Sequence, residues 1–306
     1  MMHNTLPPPS AGQNYVSVTP INGGKITLPE KSFVFPSDPE AVVTVPSLSF
    51  LIAHPGVDGR RRPRYLLFDL GLRGRLQDYM KDQQSHLSSR VPYELGPSVA
   101  QSLGNSGLNP DHIDTVILSH LHYDHHGDPG DFPRAQFFVG PGSLKLLSDG
   151  LGINASHQVF DPDLFHGVSR VSELPSPSTP LWQPLGPFKA TLDLLHDGSI
   201  YVIDAPGHLP GHINLLCRLG PKEWMYLGGD SCHDLRLLSG EREIATWVDA
   251  HGHRGCIHVD KDRAEETLSR IWSLQQMTEV AVEVVMAHDV HWWETNQYRA
   301  LPALGH

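Results

Sequence analysis

The stretch that decides the fold reads Ser119-His120-Leu121-His122-Tyr123-Asp124-His125-His126-Gly127-Asp128, and it directly follows the apolar run Thr115–Leu118. In an extended segment residues i and i+2 point the same way, so His120 and His122 can converge on one metal ion. The chain must then turn, which lets Asp124 and His125 face the same cavity. Imidazole and carboxylate suit zinc, iron, manganese or nickel better than a metal that prefers thiolate. The spacing therefore predicts a metal site at the end of a buried strand.

Three later segments offer further ligands, and each of them again follows an apolar run. They are Pro206-Gly207-His208-Leu209-Pro210-Gly211-His212 after Tyr201–Ile203, Gly228-Gly229-Asp230 after Trp224–Leu227, and Ala287-His288-Asp289 after Val282–Met286. Polar residues on loops that a rigid sheet holds are typical of active sites. From the residues alone, His208 and His212 are almost equally good candidates for a metal ligand.

These four motifs, in this order, resemble those of the metallo-β-lactamase superfamily, and within it the dinuclear hydrolases of the N-acyl homoserine lactonase and glyoxalase II type. The run Tyr65–Gly71, which ends in Phe-Asp-Leu-Gly, fits the early strand and turn of that family. The resemblance covers roughly residues 40–295. It implies an α/β fold, namely an αββα sandwich of two central mixed sheets with outer helices and the metals at one edge.

The resemblance also implies two divalent metal ions, with zinc expected and iron or manganese as alternatives. The ligands that it implies are His120, His122 and His208 for one ion, Asp124, His125 and His288 for the other, and Asp230 as the bridge between them. In strings of this kind the ligand is the first histidine, so His212 is expected to be packed and hydrogen-bonded. Two such ions lower the pKa of a bridging water towards ~7 and create hydroxide at neutral pH. Asp124 can accept or pass on a proton in that reaction.

The expected function is hydrolysis, in which the metal-bridging hydroxide opens a small cyclic ester, a lactone. The alternative is a lactamase-type opening of a small cyclic amide or carbamate, and the sequence does not decide between the two. A thioesterase is less expected, since the residues that follow His288 are not basic, as a glutathione-binding segment would be. A non-catalytic, metal-free binding protein on the same fold is disfavoured because every expected ligand is present.

The sequence departs from the lactonase pattern three residues after Asp230. Homoserine lactonases often carry a tyrosine there, whereas this chain has His233. We hypothesise that His233 supports the oxyanion or the leaving group as a catalytic residue beside Asp124; simple packing is the alternative. An imidazole suits such a role because it can donate a hydrogen bond and change its charge near neutral pH.

Several residues near these motifs receive supporting or structural interpretations. Asp69 is expected to hold the metal loop by hydrogen bonds, Cys232 to be a buried thiol and His126 to support a ligand. The pair Trp292–Trp293 either walls an aromatic substrate pocket or packs the C-terminal segment. The histidines of the glycine-rich loop are expected to be solvated; they are His251, His253 and His258.

Composition narrows the partners. The chain has 306 residues, with 23 Lys and Arg against 34 Asp and Glu, which gives a net charge of −11. Nucleic-acid binding is disfavoured because it needs clustered positive charge. No apolar run approaches the ~20 residues that span a bilayer, and the N-terminus does not resemble a secretory signal, so a cytoplasmic protein without a membrane partner is expected. The expected partner is a small-molecule substrate, partly apolar or aromatic, and a homodimer is the common default.

The organisation predicted from the chain is simple. Residues 1–14 are expected to form a mobile arm, and residues 15–306 a single domain with an insertion near 150–187 that serves as a lid or a dimer contact. The strongest helix signal covers residues 260–277, because Ala264, Leu268 and Ile271 recur at helical spacing.

Overall fold

The computed structural model describes residues 5–56, 62–151, 159–248, 252 and 254–301. The strands within these residues are β1 (Ser17–Pro29), β2 (Val34–Phe35), β3 (Val42–His54), β4 (Arg64–Phe68), β5 (Ile113–Ile117), β6 (Gln136–Val139), β7 (Val171–Glu173), β8 (Gln183–Leu185), β9 (Phe188–Asp193), β10 (Ile200–Asp204), β11 (Ile213–Arg218), β12 (Glu223–Leu227), β13 (Glu243–Ile244), β14 (Thr246–Val248), β15 (Arg254–Cys256) and β16 (Ala281–Val285). The α-helices are α1 (Lys81–Leu87), α2 (Val99–Asn105), α3 (Ser143–Asp149), α4 (Leu235–Leu238), α5 (Lys261–Gln275) and α6 (Val290–Asn296).

Two six-stranded sheets form the centre of the fold. The first has the strand order β1-β3-β4-β5-β6-β7, and the second has the order β16-β12-β11-β10-β9-β8. Both sheets are mixed, since β4, β5 and β6 run parallel in the first and β12 pairs in parallel with β16 in the second. Two two-stranded pairs, β2 with β13 and β14 with β15, lie outside these sheets. The predicted fold class, with two mixed sheets and helices, is confirmed.

The sheets pack face to face, and helices cover their outer faces. One buried cluster joins Phe50 and Phe68 of the first sheet to Val202 and Leu215 of the second. On the outer face of the second sheet, Ile271 of α5 belongs to another cluster, together with residues of β10, β11 and β12. The outer face of the first sheet is covered in the same way by α2. This layering is the sandwich expected when each sheet buries both of its faces.

The helix predicted over residues 260–277 is α5, Lys261–Gln275. Its N-cap is Asp260, whose side chain accepts a hydrogen bond from the backbone N–H of Arg263. Such a cap satisfies one of the donors that a helix start leaves unpaired. Leu268 and Ile271 are buried against the sheet, as the helical spacing predicts.

The sequence patterns do not predict the longest strand pair of the first sheet, β1 with β3. The apolar runs Val42–Val45 and Ser49–Ala53 predict two separate strands, whereas β3 runs unbroken from Val42 to His54. It is continuous because β1 pairs with it from Val42 to Ala53, with an irregularity between Asn22 and Lys25. No pattern predicts β1 itself, which contains two prolines and two glycines.

The predicted N-terminal arm and the predicted insertion are described only in part. Residues 1–4 and 152–158 lie outside the described residues, so the arm and the insertion stay predictions there. Leu6 is buried, and the carbonyl of Pro7 accepts a hydrogen bond from Arg218. The described end of the arm therefore lies against the sandwich. No helix among the described residues is long and apolar enough to cross a bilayer.

Candidate metal centre

The loop that follows β5 is fixed by one buried carboxylate, that of Asp69. Its Oδ1 accepts a hydrogen bond from the backbone N–H of Ser119 at 2.6 Å, and its Oδ2 accepts one from the Ser119 hydroxyl at 2.7 Å. The same Oδ2 lies 3.0 Å from Nδ1 of His125, which orients the imidazole and leaves Nε2 facing the cavity. This is the holding role that the sequence predicts for Asp69.

The first cluster of ligand atoms joins the two sheets. Nε2 of His120 and Nε2 of His208 lie 3.0 Å and 3.1 Å from Nδ1 of His122. Oδ2 of Asp230 lies 3.6 Å from Nε2 of His120 and 3.5 Å from Nε2 of His208. A tetrahedral zinc ion with bonds of about 2.0–2.1 Å needs ligand atoms roughly 3.3 Å apart. The cluster therefore has the spacing of a metal shell.

The second cluster faces the other oxygen of Asp230. Oδ1 of Asp230 lies 3.1 Å from Nε2 of His125 and 3.2 Å from Nε2 of His288. Oδ2 of Asp124 lies 3.6 Å from the same Nε2 of His288. Each carboxylate oxygen of Asp230 thus serves one cluster, which is the geometry of a bridge. The structure brings together all seven residues that the sequence proposes as metal ligands.

The donor atoms fit divalent ions on physical grounds. Oδ1 of Asp230 and Nε2 of His125 are buried and lie 3.1 Å apart, but without the geometry of a good hydrogen bond. Buried polar atoms without good hydrogen bonds cost stability, and an ion at the centre of each cluster would satisfy them. Burial also lowers the pKa of His120 and His208 well below the ordinary value. Those two imidazoles are therefore neutral, as metal ligands must be.

The charge of the second cluster differs from that of the first. Burial alone would lower the pKa of His125, but the carboxylates of Asp230 and Asp124 raise it well above the ordinary value. Burial also opposes ionisation of Asp230, yet His125 and His288 hold the pKa of that carboxyl well below its usual range. Two negative charges are thus concentrated where the second ion would sit.

The string that contains His208 and His212 separates the roles of these two histidines. Nε2 of His208 belongs to the first cluster, whereas Nδ1 of His212 donates to the carbonyl of Ala205 at 3.0 Å. Nε2 of His212 accepts the backbone N–H of Asp230 at 3.1 Å, so His212 positions the loop that carries the bridge. A Cβ at Gly207 would lie 2.3 Å from the backbone nitrogen of Ala264, so only glycine lets this loop lie against α5.

His233 lies at the centre, where the sequence hypothesis places it. Its Nε2 is 3.0 Å from Oδ2 of Asp230, and its ring centroid is 4.7 Å from that of Phe33. Its ring also stacks on His288, with centroids 5.6 Å apart. Nδ1 of His233 is buried and has no hydrogen-bond partner among the described residues. The position suits a donor to a substrate oxygen, and that role stays a prediction.

The prediction of a solvated loop is wrong for His258. This residue is 2% exposed, and its ring lies 5.2 Å from that of His208 and 5.7 Å from that of His233. The backbone explains the burial, because the N–H of Val259 donates to the carbonyl of His208 at 3.0 Å and holds the segment against the loop that carries His208. One ring nitrogen from each of the three histidines lies within 4.8 Å of the others. His251 and His253 lie outside the described residues.

The remaining neighbours are structural. Cys232 is buried, burial raises the pKa of its thiol to about 12, and its Sγ donates to the carbonyl of Asp234. Nδ1 of His126 donates to the carbonyl of Gly127 at 2.8 Å. Trp292 packs against Phe50 and donates its indole N–H to Glu283, so it packs the C-terminal segment.

The described part of the insertion reaches the metal ligands. The ring of Phe160 stacks on His122, with centroids 5.8 Å apart and planes inclined by 11°. Asp161 pairs with Arg73 at 3.1 Å, and Arg73 also donates to the carbonyl of Gly127 at the end of the metal loop. Arg73 therefore links the insertion to the loop that follows β5. Phe160 is one of the site residues that no motif indicates.

A largely apolar cavity of about 240 Å³ adjoins the centre, and its lining also includes the carboxylates of Glu30, Asp234 and Asp289. His233 and His288 line it on the metal side. Its apolar lining comes from distant parts of the chain, namely Leu28, Phe33, Val43, Val45, Met286 and Val290. A narrow metal cleft, lined among others by Arg90, Tyr123, Asp124, Asp230 and His233, lies over the ligands themselves. The sequence motifs indicate Asp124, Asp230 and His233, but they give no signal for Arg90 or for the apolar lining, because those residues meet the site only in the folded chain.

Comparison with known proteins agrees with this geometry. The chain matches the model of the "Metallo-beta-lactamase superfamily" over residues 45–228, more than half of its length. It is 31% identical over 216 residues to "Cytochrome P450 monooxygenase mpaDE'" of Penicillium brevicompactum, a match that covers 68% of this chain and 24% of that protein. The chain thus spans about a quarter of the length of that relative.

A second relative is similar over more of its own length. "Gamma-lactamase MBL2" of Gibberella moniliformis is 32% identical over 181 residues, which is 55% of this chain and 70% of the relative. A solved structure of an "N-Acyl Homoserine Lactone Hydrolase with the Product N-Hexanoyl-L-Homoserine Bound at The Catalytic Metal Center" shares the fold. Its TM-score is 0.66 at 14% identity, with 92% of this chain and 96% of that chain covered. The sandwich, the two clusters around Asp230 and the family match together show that this chain belongs to the metallo-β-lactamase superfamily, whose hydrolases use divalent metal ions.

Proposed function

We propose that this protein is a metal-dependent hydrolase that binds two zinc ions and opens a lactone, a small cyclic ester. One observation carries the proposal: the two oxygens of Asp230 face two separate ligand clusters, beside an apolar cavity of about 240 Å³. Two divalent ions bound there would supply activated water and polarise a carbonyl group. A cytoplasmic location and a homodimer stay predictions.

The residues of the chain have distinct tasks in this proposal. The apolar cavity binds the hydrocarbon part of the substrate and excludes water from it. Asp124, whose Oδ2 lies 3.6 Å from Nε2 of His288, accepts the proton that the attacking water loses. His233 lines both the cavity and the metal cleft, and its imidazole donates a hydrogen bond to the oxyanion or to the leaving oxygen.

A cyclic amide is the second candidate substrate, and the similarity to a γ-lactamase favours it. An amide nitrogen leaves only after it is protonated, whereas a lactone oxygen leaves more readily. The site offers Asp124 and His233 as the groups that can deliver that proton. The two candidates therefore differ in how strongly turnover depends on His233.

The test is a pH-stat screen of the zinc-loaded protein against lactones, lactams, thioesters and phosphodiesters. We expect hydrolysis of lactones or lactams, and its loss in His120→Ala together with loss of bound zinc. The matched control is His166→Ala, since His166 is an exposed histidine of the insertion. Hydrolysis restricted to phosphodiesters, or full activity of zinc-depleted His120→Ala, would overturn the proposal.

His233→Ala separates the two ring classes. We expect it to lower kcat more for a lactam than for a lactone of the same ring size, because only the amide nitrogen requires a proton donor. Equal and near-normal kcat values for both would remove His233 from the mechanism.

A further inference from the structure

Arg90 is the one lysine or arginine among the described residues that line the metal cleft. Its backbone is fixed between α1 and β1. The N–H of Arg90 donates to the carbonyl of Leu87 at 2.9 Å, and its carbonyl accepts the N–H of Thr27 at 3.0 Å. The backbone of Arg90 is therefore held beside the cleft by two neighbouring elements.

The guanidinium of Arg90 lacks a negatively charged partner among the described residues. It forms no ion pair with any described carboxylate, and its Nε is buried without a hydrogen-bond partner among the described residues. Its contact in the cleft is a hydrogen bond with the side chain of Tyr123. Elsewhere around the site arginines are paired, for example Arg73 with Asp161 at 3.1 Å. A half-buried cation without a counter-charge is costly unless a ligand supplies one.

The groups that face Arg90 from neighbouring elements do not supply that charge. Burial, together with the charge of Arg90, lowers the pKa of His86 to about 4, so His86 is neutral at physiological pH. The carboxylates of Asp124 and Asp230 line the same cleft, but they belong to the ligand clusters. The positive charge of Arg90 is thus available to a bound molecule.

The metal cleft, of about 30 Å³, and the apolar cavity adjoin each other. Four residues line both of them, namely Leu28, Phe33, His233 and His288. Arg90 lines only the cleft, whereas Val43 and Val290 line only the cavity. A molecule that spans both would place its apolar part in the cavity, its scissile bond over the ligand clusters and its anionic end at Arg90.

We propose that Arg90 forms a carboxylate-binding subsite, and that the substrates are amphiphilic lactones or lactams that carry an apolar group and a carboxylate. The inference rests on the proposed function for the ring that is opened, but not for the anion that is bound. A guanidinium presents parallel N–H donors that match a carboxylate, which makes arginine the suitable residue for such recognition. Arg90 is then a specificity-determining residue.

The first experiment measures binding rather than turnover. Zinc-loaded wild type, Arg90→Ala, Arg90→Lys and the control Arg134→Ala are titrated calorimetrically with phenylsuccinate, which has two carboxylates, and 3-phenylpropionate, which has one. Arg134 is a matched control because its side chain is 73% exposed. We expect the ratio of the two affinities to fall about 10- to 100-fold in Arg90→Ala, the usual contribution of a charge-assisted hydrogen bond. Arg90→Lys should retain part of the ratio, and Arg134→Ala all of it.

The second experiment compares two substrates of the ring class that the wild type opens. They are aryl lactones or lactams that differ only in a carboxylate or a carboxamide on the aryl group. Arg90→Ala should lower kcat/KM for the carboxylate relative to the carboxamide. An equal loss for both substrates, with an unchanged affinity ratio, would show that Arg90 only supports the fold and would overturn the subsite.

The two proposals fail separately. If the wild type opens no ring in the screen but Arg90→Ala lowers the affinity ratio, the proposed function fails and the subsite stands. If rings are opened and the ratio is the same in wild type and Arg90→Ala, the subsite fails and the proposed function stands. Zinc content, measured for every variant, excludes metal loss as the cause of either result.

Discussion

The metal centre and the apolar cavity touch at His233 and His288, yet they are built in different ways. The ligands of the centre come from short motifs at strand ends, and hydrogen bonds such as those of Asp69 and His212 fix their loops. The cavity is lined by single side chains of β1, β3 and the segments after β12 and β16, without a common motif. Under the proposed function, reaction chemistry is encoded locally in this chain, whereas substrate choice is encoded by tertiary assembly.

The strongest test of this difference between the metal centre and the cavity is a substitution of Asp230, the residue that contacts both clusters. Asp230→Asn keeps the size of the side chain but removes the charge that faces both ions. We expect kcat/KM to fall by at least about 10³-fold, because two polarising ions supply several kcal/mol of transition-state stabilisation. Metal analysis should show fewer than two ions per chain. Asp163→Asn, at an exposed position, is the control, and equal loss in both variants would contradict the assignment.

The next largest effect should come from the carboxylate behind the ligands. Asp69→Asn weakens the hydrogen bond to Nδ1 of His125 without removing a ligand. Such changes typically cost about 10- to 100-fold in metal affinity. Competition with a chromophoric chelator measures this loss. An unchanged affinity for both ions would mean that the ligands bind metal equally well without the hydrogen bond to Asp69.

A change in the cavity should affect substrate binding and leave the chemistry alone. Val43 lines the cavity, whereas its neighbour Val42 does not and is 62% exposed. Val43→Trp should raise KM about tenfold for a bulky apolar substrate, the loss that corresponds to about 1.4 kcal/mol of binding, with little change in kcat. Val42→Trp is the matched control on the same strand. A change of kcat alone in Val43→Trp would break the division between chemistry and selectivity.

The smallest expected effect concerns pH and the cleft beside Arg90. Burial lowers the pKa of His86 to about 4, from 6.5 in the unfolded chain. The unfolded state therefore takes up the proton first, and the stability that neutral His86 contributes is complete above about pH 6.5 and is lost as the pH falls towards about 4. After allowance for partial exposure, the loss at about pH 5 is roughly 1 kcal/mol.

His86→Gln should reduce this acid destabilisation, whereas His166→Gln should not. Urea unfolding of the metal-free protein at about pH 7.5 and pH 5 measures the difference, because chelation removes the separate effect of acid on metal binding. Equal acid sensitivity of wild type and His86→Gln would show that His86 is not held neutral by its surroundings.

Much of the site could be predicted from sequence because its signals are local. The spacing of His120, His122, Asp124 and His125 is set within one loop, and the buried runs before each motif place the loops at strand ends. Asp260 likewise predicts the start of α5, because its own side chain caps the helix. In each case the residue types and their spacing suffice, since the interactions lie within a few positions.

The rest depended on contacts between distant segments. His258 is buried because its backbone neighbours pair with the loop of His208, about 50 residues earlier in the chain. The strand β1 exists because β3 pairs with it, despite prolines and glycines that argue against a strand. Nothing in the local sequence distinguishes Arg90 from an ordinary surface arginine, and only the fold brings it to the metal cleft. Tertiary pairing overrides local propensity at these positions.

The position of Asp230 between the clusters has a consequence for folding. Each cluster draws ligands from both sheets, since His120 and Asp124 follow β5 of the first sheet, whereas Asp230 and His288 follow β12 and β16 of the second. Bound ions would therefore act as cross-links between the two halves of the sandwich. Their binding free energy would enter the unfolding equilibrium directly, so the folded chain and its metal content would be lost together.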